Sequence, residues 1–273
     1  MRLARRTLLA GSVAALAGCG AAPVKEGAGT SSGFARIDYG ADPSQYAELT
    51  RPATASRGVV VVIHGGFWKA AYDLSLGRPL VPSLVAAGWS VLNLEYRRVG
   101  SALGGGGGVP ATLDDVAAGI DALAEVEGLD TTTVVTLGHS AGGHLATWAA
   151  ARGRFGFSER VPVTAVISQA GVLDLRAAYA GGLGDGAVEA FLGHPPGPGD
   201  EAADPIRQLP LDVPVWCVHG RSDDTVPFTQ SQDYVAAATA AGARAELVAV
   251  EGDHFVVIDP ASPAWRRTLA LLP

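Results

Sequence analysis

The chain has 273 residues, of which 48% are hydrophobic and 17% are charged, and its formal net charge is −7. This length suits one α/β domain with one large core, and the composition excludes a disordered, highly charged chain. The negative balance disfavours binding to nucleic acid, because the phosphates would be repelled.

Residues 1–18 have the layout of an export signal. Arg2, Arg5 and Arg6 precede an apolar stretch that is too short to span a bilayer. The run Leu16-Ala17-Gly18-Cys19 resembles a bacterial lipobox, which implies a lipid on Cys19, and the paired arginines resemble a twin-arginine signal. We expect an exported protein of the bacterial cell envelope, with a membrane anchor at Cys19 and a flexible tether over residues 19–33. The alternative is an ordinary secretory signal with an unmodified Cys19.

Residues 34–273 alternate strand and helix patterns, which predicts an α/β fold with a mostly parallel sheet and helices on both faces. Strands are predicted over 46–49 at the sheet edge and over 58–63, 90–96, 133–137, 163–168, 213–219 and 245–250. Helices are predicted over 76–87, 110–127, 141–151, 229–241 and 265–271. Residues 180–210 interrupt this alternation with one short helix pattern over 188–192, and we interpret them as a small lid insertion over the active-site face.

A serine lies between a predicted strand and a predicted helix in the run Gly138-His139-Ser140-Ala141-Gly142. This Gly-x-Ser-x-Gly arrangement is typical of a sharp turn that exposes a nucleophilic hydroxyl, and the turn requires small neighbours because backbone segments approach closely there. The helix that follows places N–H donors and its positive end near a developing oxyanion. Ser140 is therefore the candidate nucleophile.

A serine hydroxyl needs a base, and a histidine is the usual one. His254 follows the last predicted strand, where the chain returns to the nucleophile, and is the candidate base. An acid should follow the strand over 213–219, and both Asp223 and Asp224 qualify; the order serine, aspartate, histidine fits an α/β sheet. The other histidines are interpreted as packing or loop-fixing residues (His139 and His144), a surface residue (His194) and a brace for the acid loop (His219).

The run His64-Gly65-Gly66-Phe67-Trp68 directly follows the strand over 58–63. Its two glycines allow the backbone to approach a substrate carbonyl and to donate an N–H group to it. We expect Trp68 and residues 180–210 to form the wall of the substrate pocket.

From about residue 57 to His254 the chain is similar to the esterase and arylformamidase (kynurenine formamidase) branch of α/β-hydrolases, which is related to hormone-sensitive-lipase-type carboxylesterases. The aromatic residue and Trp after the two glycines carry this likeness, together with Tyr96-Arg97. The loop resembles the His-Gly-Gly oxyanion loop of the branch, although Phe67 replaces a third glycine. The likeness implies an oxyanion hole made by backbone N–H groups of Gly65, Gly66, Phe67 and Ala141, and it places the triad acid on Asp223.

The expected function is hydrolysis of a small ester or aryl-amide through an acyl-enzyme, with Ser140, His254 and Asp223 as the triad and without a metal or an organic cofactor. The partners are then a small ester or amide substrate and the membrane. Three alternatives remain: an acetyl or feruloyl esterase that trims polymer side groups outside the cell, a prolyl-oligopeptidase-type peptidase, and a surface lipoprotein that uses a hydrolase scaffold only to bind a ligand.

Overall fold

The computed structural model describes residues 33–273. The predicted export signal, Cys19 and the tether up to residue 32 lie outside the described residues. None of the helices in residues 33–273 is long and apolar enough to cross a membrane.

Eight strands form one sheet in the described domain. Their bounds are β1 Ala35–Asp38, β2 Tyr46–Thr50, β3 Val59–Ile63, β4 Ser90–Leu94, β5 Val134–His139, β6 Ala165–Gln169, β7 Val215–Gly220 and β8 Ala245–Val250. Their order across the sheet is β1-β2-β4-β3-β5-β6-β7-β8. β1 and β2 pair antiparallel with their neighbours, and every pair from β4 to β8 is parallel. The predicted mostly parallel sheet is confirmed.

The central strands are buried on both faces because their side chains alternate between two cores. In β3, Val59, Val61 and Ile63 belong to one apolar cluster, and Val60 and Val62 belong to the other. β-branched side chains pack well on such a pleated surface, and a strand covered on both sides reads as a continuous apolar run.

Seven α-helices cover these two faces in residues 33–273. They are α1 Val81–Ala86, α2 Ala111–Asp121, α3 Ala141–Ala149, α4 Leu175–Ala180, α5 Ala187–Leu192, α6 Thr229–Ala240 and α7 Pro263–Leu269. Side chains of α2, α3 and α6 pack in one cluster, whereas those of α1 and α7 pack in the other. The start of α7 shows how local residues determine where a helix begins. The Ser262 hydroxyl accepts the Trp265 N–H at 2.9 Å, and Pro263 fills the first helical position.

Three local predictions are wrong. The strand near residue 46 is not at the sheet edge, because β1 pairs outside it. The helix predicted over 76–87 is broken into the 3₁₀ turns Leu74–Leu76 and Arg78–Leu80 and the short α1, since Pro79 and Pro82 lack the N–H donors that a continuous helix needs. The insertion contains α5 and two 3₁₀ helices, Pro198–Ala203 and Pro205–Gln208, instead of one short helix.

The carboxyl ends of the parallel strands meet at one edge of the sheet. The loops after β3, β5, β7 and β8 carry His64, Ser140, Asp223 and His254 respectively. The topology therefore brings four segments that are distant in sequence to one place, as open α/β sheets commonly do for ligand sites.

Candidate active site

Ser140 lies on the turn between β5 and α3. Its φ of 56° and ψ of −119° are rare for a non-glycine residue, and such a conformation costs on the order of 1–3 kcal/mol. Hydrogen bonds on both sides hold it, because the Ser140 N–H donates to the Gln169 carbonyl at 2.8 Å and the His144 N–H donates to the Ser140 carbonyl at 3.1 Å. The turn thus lifts the hydroxyl at the end of the sheet in a fixed, strained geometry.

Glycines next to the turn leave room for close backbone contacts. A Cβ at Gly138 would lie 2.0 Å from the Gly142 carbonyl oxygen, and a Cβ at Gly142 would lie 2.0 Å from the Ile63 carbonyl oxygen. No side chain fits at those distances, so both positions require glycine. The expectation that the turn needs small neighbours is confirmed.

His254 and Asp223 face one another across the loops that follow β8 and β7. Nδ1 of His254 is 2.7 Å from Oδ2 of Asp223, and the two side chains are only 4% and 0% exposed. Because a carboxylate accepts but does not donate, Nδ1 carries the hydrogen and Nε2 keeps its lone pair. That tautomer is the one a general base requires.

Four hydrogen bonds converge on the Asp223 carboxylate. Oδ1 accepts the backbone N–H groups of Thr225 and Val226 at 2.9 and 2.8 Å, and Oδ2 accepts from His254 and, at 3.1 Å, from Nε2 of His219. Burial alone would raise the pKa of Asp223, but the hydrogen bonds from His219 and His254 outweigh it and hold that pKa below its usual range. Asp223 is therefore ionised at neutral pH beside His254.

The alternative acid, Asp224, points elsewhere. Asp224 is exposed, and its carboxylate accepts a hydrogen bond from the Thr225 hydroxyl at 3.3 Å. The geometry selects Asp223 as the partner of His254, because only its side chain turns inward.

His139 links the serine to the histidine loop. Its Nε2–H donates to the His254 carbonyl at 2.9 Å, and the two rings are 4.4 Å apart. Burial lowers the pKa of His139 to about 3, and the charge on His254 acts in the same direction. Within residues 33–273 no hydrogen bond joins the Ser140 hydroxyl to His254, and in ligand-free sites such bonds often tighten only when substrate binds.

The loop after β3 passes directly beside the serine. A Cβ at Gly65 would lie 2.6 Å from the His139 carbonyl oxygen and 3.1 Å from Cβ of Ser140. Gly66 has a φ of 110° and Phe67 a φ of 56°, and in the described part of the chain their N–H groups donate to no protein acceptor. Ala141 begins α3, where N–H groups lack partners inside the helix. These donors can face an oxyanion.

A buried polar cluster holds that loop from below. The Tyr96 hydroxyl donates to the His64 carbonyl at 2.8 Å, and the two rings stack with centroids 4.4 Å apart. Glu95 lies 3.1 Å from Nε2 of His64 and forms a buried ion pair with Arg98. Burial lowers the pKa of His64 to about 3. The cluster thus fixes the peptide that leads into Gly65.

The prediction that Trp68 forms part of the substrate-pocket wall is wrong. Its side chain is 0% exposed, stacks on Phe191 with centroids 4.6 Å apart and contacts His144 edge-on at 5.2 Å. Trp68 therefore packs in the core between the loop after β3 and the insertion, and it presents no exposed surface to a pocket. An indole is large and apolar, so burial against another aromatic ring is favourable.

The insertion rests on the site side of the domain. Lys69 donates through Nζ to the Gly184 carbonyl at 2.9 Å, and a Cβ at Gly184 would lie 2.5 Å from the Phe67 ring. Nε2 of His144 donates to the Ala203 carbonyl at 2.7 Å, as its predicted packing role requires. His194 is on the surface, as predicted, and lies 3.5 Å from Asp200. The insertion is thus attached to α3 and to the oxyanion loop.

No group of three or more His, Cys, Asp and Glu side chains within residues 33–273 is arranged to hold a metal ion. The site is made of a hydroxyl, two imidazoles, a carboxylate and backbone N–H groups, a set suited to acyl transfer.

The sequence reading did not identify two side chains that position the site, Glu95 and the Tyr96 hydroxyl. A signal for Glu95 was present, because it is the one charged residue in the predicted strand over 90–96 and a buried charge needs a partner. His219 was expected only to brace the loop, and its bond to the Asp223 carboxylate became visible in the structure.

Comparison with known proteins identifies a family for most of this domain. The family model BD-FAE matches residues 48–237. A comparison with curated proteins gave no match.

Solved structures with the same fold include several esterases. Esterase 2 of Thermogutta terrifontis, phosphoramylated by tabun, is 24% identical with a TM-score of 0.72, and the alignment covers 89% of this chain and 93% of that chain. The native form of the esterase from that Planctomycetes species is 26% identical with a TM-score of 0.67, covering 83% and 84%. Esterase B from Lactobacillus rhamnosis, with a C4-C4 SN3 tributyrin phosphonate inhibitor, is 22% identical with a TM-score of 0.71, covering 88% and 86%.

Proposed function

Because the chain belongs to BD-FAE, an α/β-hydrolase esterase family, we propose that it cleaves a small ester or aryl-amide through an acyl-enzyme on Ser140. The observation that carries this proposal is the buried 2.7 Å hydrogen bond between Nδ1 of His254 and Asp223, next to a serine on a strained turn. A binding module has no need to keep this set of groups together.

In the first half of the reaction, Nε2 of His254 takes the proton of the Ser140 hydroxyl while the oxygen attacks the substrate carbonyl. The charge that develops on the carbonyl oxygen is met by the N–H groups of Gly66 or Phe67 and of Ala141. Removing one such donor typically costs about 3 kcal/mol of transition-state stabilisation. Asp223 stabilises the imidazolium and holds the ring in position.

In the second half, the protonated His254 gives its proton to the leaving oxygen or nitrogen, and the carbonyl carbon stays bound to Ser140 as an ester. Water then attacks this acyl-enzyme with His254 again as the base, and the acid is released. The protons balance over the cycle, and no redox step occurs.

The leaving group is expected to lie beside Phe255. This residue follows His254, its ring centroid is 5.2 Å from that of His254, and 59% of it is exposed. Since His254 returns its proton to the leaving atom, the group attached to that atom must pass close to this apolar ring. An aromatic leaving group would gain a ring contact worth about 0.5–1.5 kcal/mol, which supports aryl esters and aryl-amides over simple alkyl esters.

The central test compares wild type with Ser140→Ala on short-chain p-nitrophenyl esters and on N-formylkynurenine. We expect turnover to fall by at least about 10⁴-fold, as for other hydrolases that lose the nucleophile. Ser222→Ala is the matched control, because Ser222 is an exposed serine in the acid loop. Retained turnover in Ser140→Ala would show that another residue attacks the substrate.

A fluorophosphonate probe separates an enzyme from a binding protein. Covalent labelling of wild type and loss of labelling in Ser140→Ala would support the acyl-enzyme route. Folded wild type that is neither labelled nor active would favour the ligand-binding alternative, and cleavage of Xaa-Pro arylamides in preference to esters would favour the peptidase alternative.

The leaving-group preference has its own test, which uses phenyl acetate, ethyl acetate and formanilide. Phe255→Ala should lower kcat/KM for the two aryl substrates by about 3- to 10-fold and leave ethyl acetate nearly unchanged. Leu103→Ala removes another exposed apolar side chain, 86% exposed, and should change none of the three. Equal losses on aryl and alkyl substrates would remove Phe255 from the leaving-group site.

We further propose that the protein is exported and carries a lipid on Cys19, which rests on the run Leu16-Ala17-Gly18-Cys19. In a bacterial host, wild type should then partition into the detergent phase of a Triton X-114 extract, and Cys19→Ala should move to the aqueous phase. Cys217→Ala is the control, because Cys217 is buried in the domain. Identical partitioning of wild type and Cys19→Ala would overturn the anchor.

A further inference from the structure

A second histidine binds the same carboxylate oxygen as the proposed base. Nε2 of His219 lies 3.1 Å from Oδ2 of Asp223, the atom that His254 also contacts, and 3.0 Å from the Val226 carbonyl oxygen. Both partners of His219 Nε2 are acceptors, so this nitrogen must carry the hydrogen. Nδ1 of His219 lies 2.8 Å from the Ser231 hydroxyl, which donates to it. The His219 tautomer is therefore the opposite of the His254 tautomer.

The side chain of His219 is fully buried and held from several directions. It is 0% exposed, and its ring contacts Phe228 edge-on at 5.3 Å. Within residues 33–273, no hydrogen bond or ring contact joins it to Ser140 or His254. Its one polar contact with the triad is the hydrogen bond to Oδ2.

We propose that His219 is a positioning residue which, by sharing Oδ2 of Asp223 with His254, sets the pH at which the base becomes active. This inference rests on the proposed function. A carboxylate oxygen that already accepts a hydrogen bond from a second N–H group attracts the His254 imidazolium less strongly. We therefore expect the enzyme to keep its activity to a lower pH than it would without the hydrogen bond from His219.

The other ionisable groups near Asp223 and His254 do not account for the effect that we assign to His219. His139 contacts the far side of His254 and is held neutral by burial, which lowers its pKa to about 3. Burial raises the pKa of Cys217 to about 12, so this neighbour on β7 carries no charge. The remaining charges on these loops include Arg221, Glu251 and Asp224, which are exposed and screened by solvent.

The test is the pH dependence of kcat/KM for a p-nitrophenyl ester, followed at the isosbestic wavelength of p-nitrophenol. His219→Phe keeps a ring against Phe228 but removes the N–H, and we expect the acidic limb to move upward by about 0.5 to 1 pH unit, because hydrogen bonds to charged groups are among the stronger ones. His219→Gln can place an N–H near the position of Nε2 and should return the limb toward that of wild type.

Stability is measured on the same proteins by urea unfolding. A merely structural role would lower the free energy of unfolding in His219→Phe and leave the acidic limb in place, and that result would overturn the inference. If His219→Phe does not fold, Ser231→Ala provides the second test. It removes only the hydroxyl that fixes Nδ1, and it should move the limb in the same direction by a smaller amount; an unmoved limb would again contradict the proposal.

The outcomes also separate the two levels of the proposal. Wild type without esterase activity, or Ser140→Ala with full activity, sinks the proposed function and this inference with it. An active wild type whose acidic limb is the same in His219→Phe and Ser231→Ala sinks the positioning role alone.

Discussion

Two strained backbone segments face each other in the site, and they are held in different ways. Ser140, Phe67 and Trp68 each have a φ of 56°. The Ser140 turn is supported by backbone contacts, since Gly138 lies against the Gly142 carbonyl, Gly142 lies against the Ile63 carbonyl, and the turn continues directly into α3. The loop after β3 is supported remotely by side chains, because the Tyr96 hydroxyl donates to its first carbonyl and the rings of Phe67 and Trp68 pack on the insertion.

The difference shows that strain at a site needs a surrounding structure that fixes it, but not a particular kind of structure. A short motif can provide that support when backbone contacts alone determine the turn. A loop that depends on buried side chains from other segments can be weakened without changing any residue within it.

The largest expected effect comes from a substitution that fills the space between the loop after β3 and the Ser140 turn. Gly65→Ala would place a Cβ 2.6 Å from the His139 carbonyl oxygen and 3.1 Å from Cβ of Ser140, so the loop must move away from the serine. We expect kcat/KM for a p-nitrophenyl ester to fall by about 100-fold or more, as when an oxyanion donor is lost. Gly199→Ala is the matched control, because no atom of the described part of the chain lies within 4 Å of its added Cβ. Normal activity in Gly65→Ala would show that the loop tolerates displacement.

An intermediate effect on stability is expected when the pH is lowered. His64 lies beneath the loop and His139 lies beside Ser140, and burial lowers the pKa of each to about 3. The unfolded chain takes up these protons near pH 6.5, so the stabilisation is complete above that pH and is lost as the pH falls toward 3. Each histidine should contribute about 1.4 kcal/mol of destabilisation per pH unit in that window.

Asp204 acts in the opposite sense. Burial raises its pKa to about 6, so its contribution is complete below its unfolded pKa and is lost as the pH rises through 6. Urea unfolding at several pH values between 7 and 5 measures the combined effect of these groups on the free energy of unfolding. His64→Gln and His139→Gln should each reduce the acid-induced loss of unfolding free energy. If the unfolding free energy of both variants falls with pH as steeply as that of wild type, the two histidines are not buried in their neutral form.

The smallest effect concerns a single hydroxyl. Tyr96→Phe removes the donor to the His64 carbonyl, and we expect a loss of about 1 kcal/mol in the free energy of unfolding and a modest fall in kcat. Tyr234→Phe is a matched control, since its buried hydroxyl has no hydrogen-bond partner among residues 33–273 and its removal should cost nothing. If the two variants behave alike, the remote support of the loop is not provided by Tyr96.

The same contrast explains which parts of the site could be predicted. The Ser140 turn was predictable because the Gly-x-Ser-x-Gly motif that carries it lies within five consecutive residues, between a strand pattern and a helix pattern. The end of β8 and the loop to His254 were also predictable, since the apolar residues 247–250 before a polar loop are a local signal. The bounds of α1 and the position of β2 were predicted wrongly, because prolines broke the helix pattern and the short β1 carried little signal of its own.

The sequence by itself determined the α/β class, the strand-to-helix turn that carries Ser140, and the chain order of the serine, acid and histidine, because these depend on periodicity and on steric limits that act over a few residues. Tertiary structure decided that Asp223 rather than Asp224 turns inward, that Trp68 packs in the core, and that His219 shares the Asp223 carboxylate. Those outcomes depend on which distant segments meet at the carboxyl edge of the sheet, and contacts between such segments leave no local pattern in the chain.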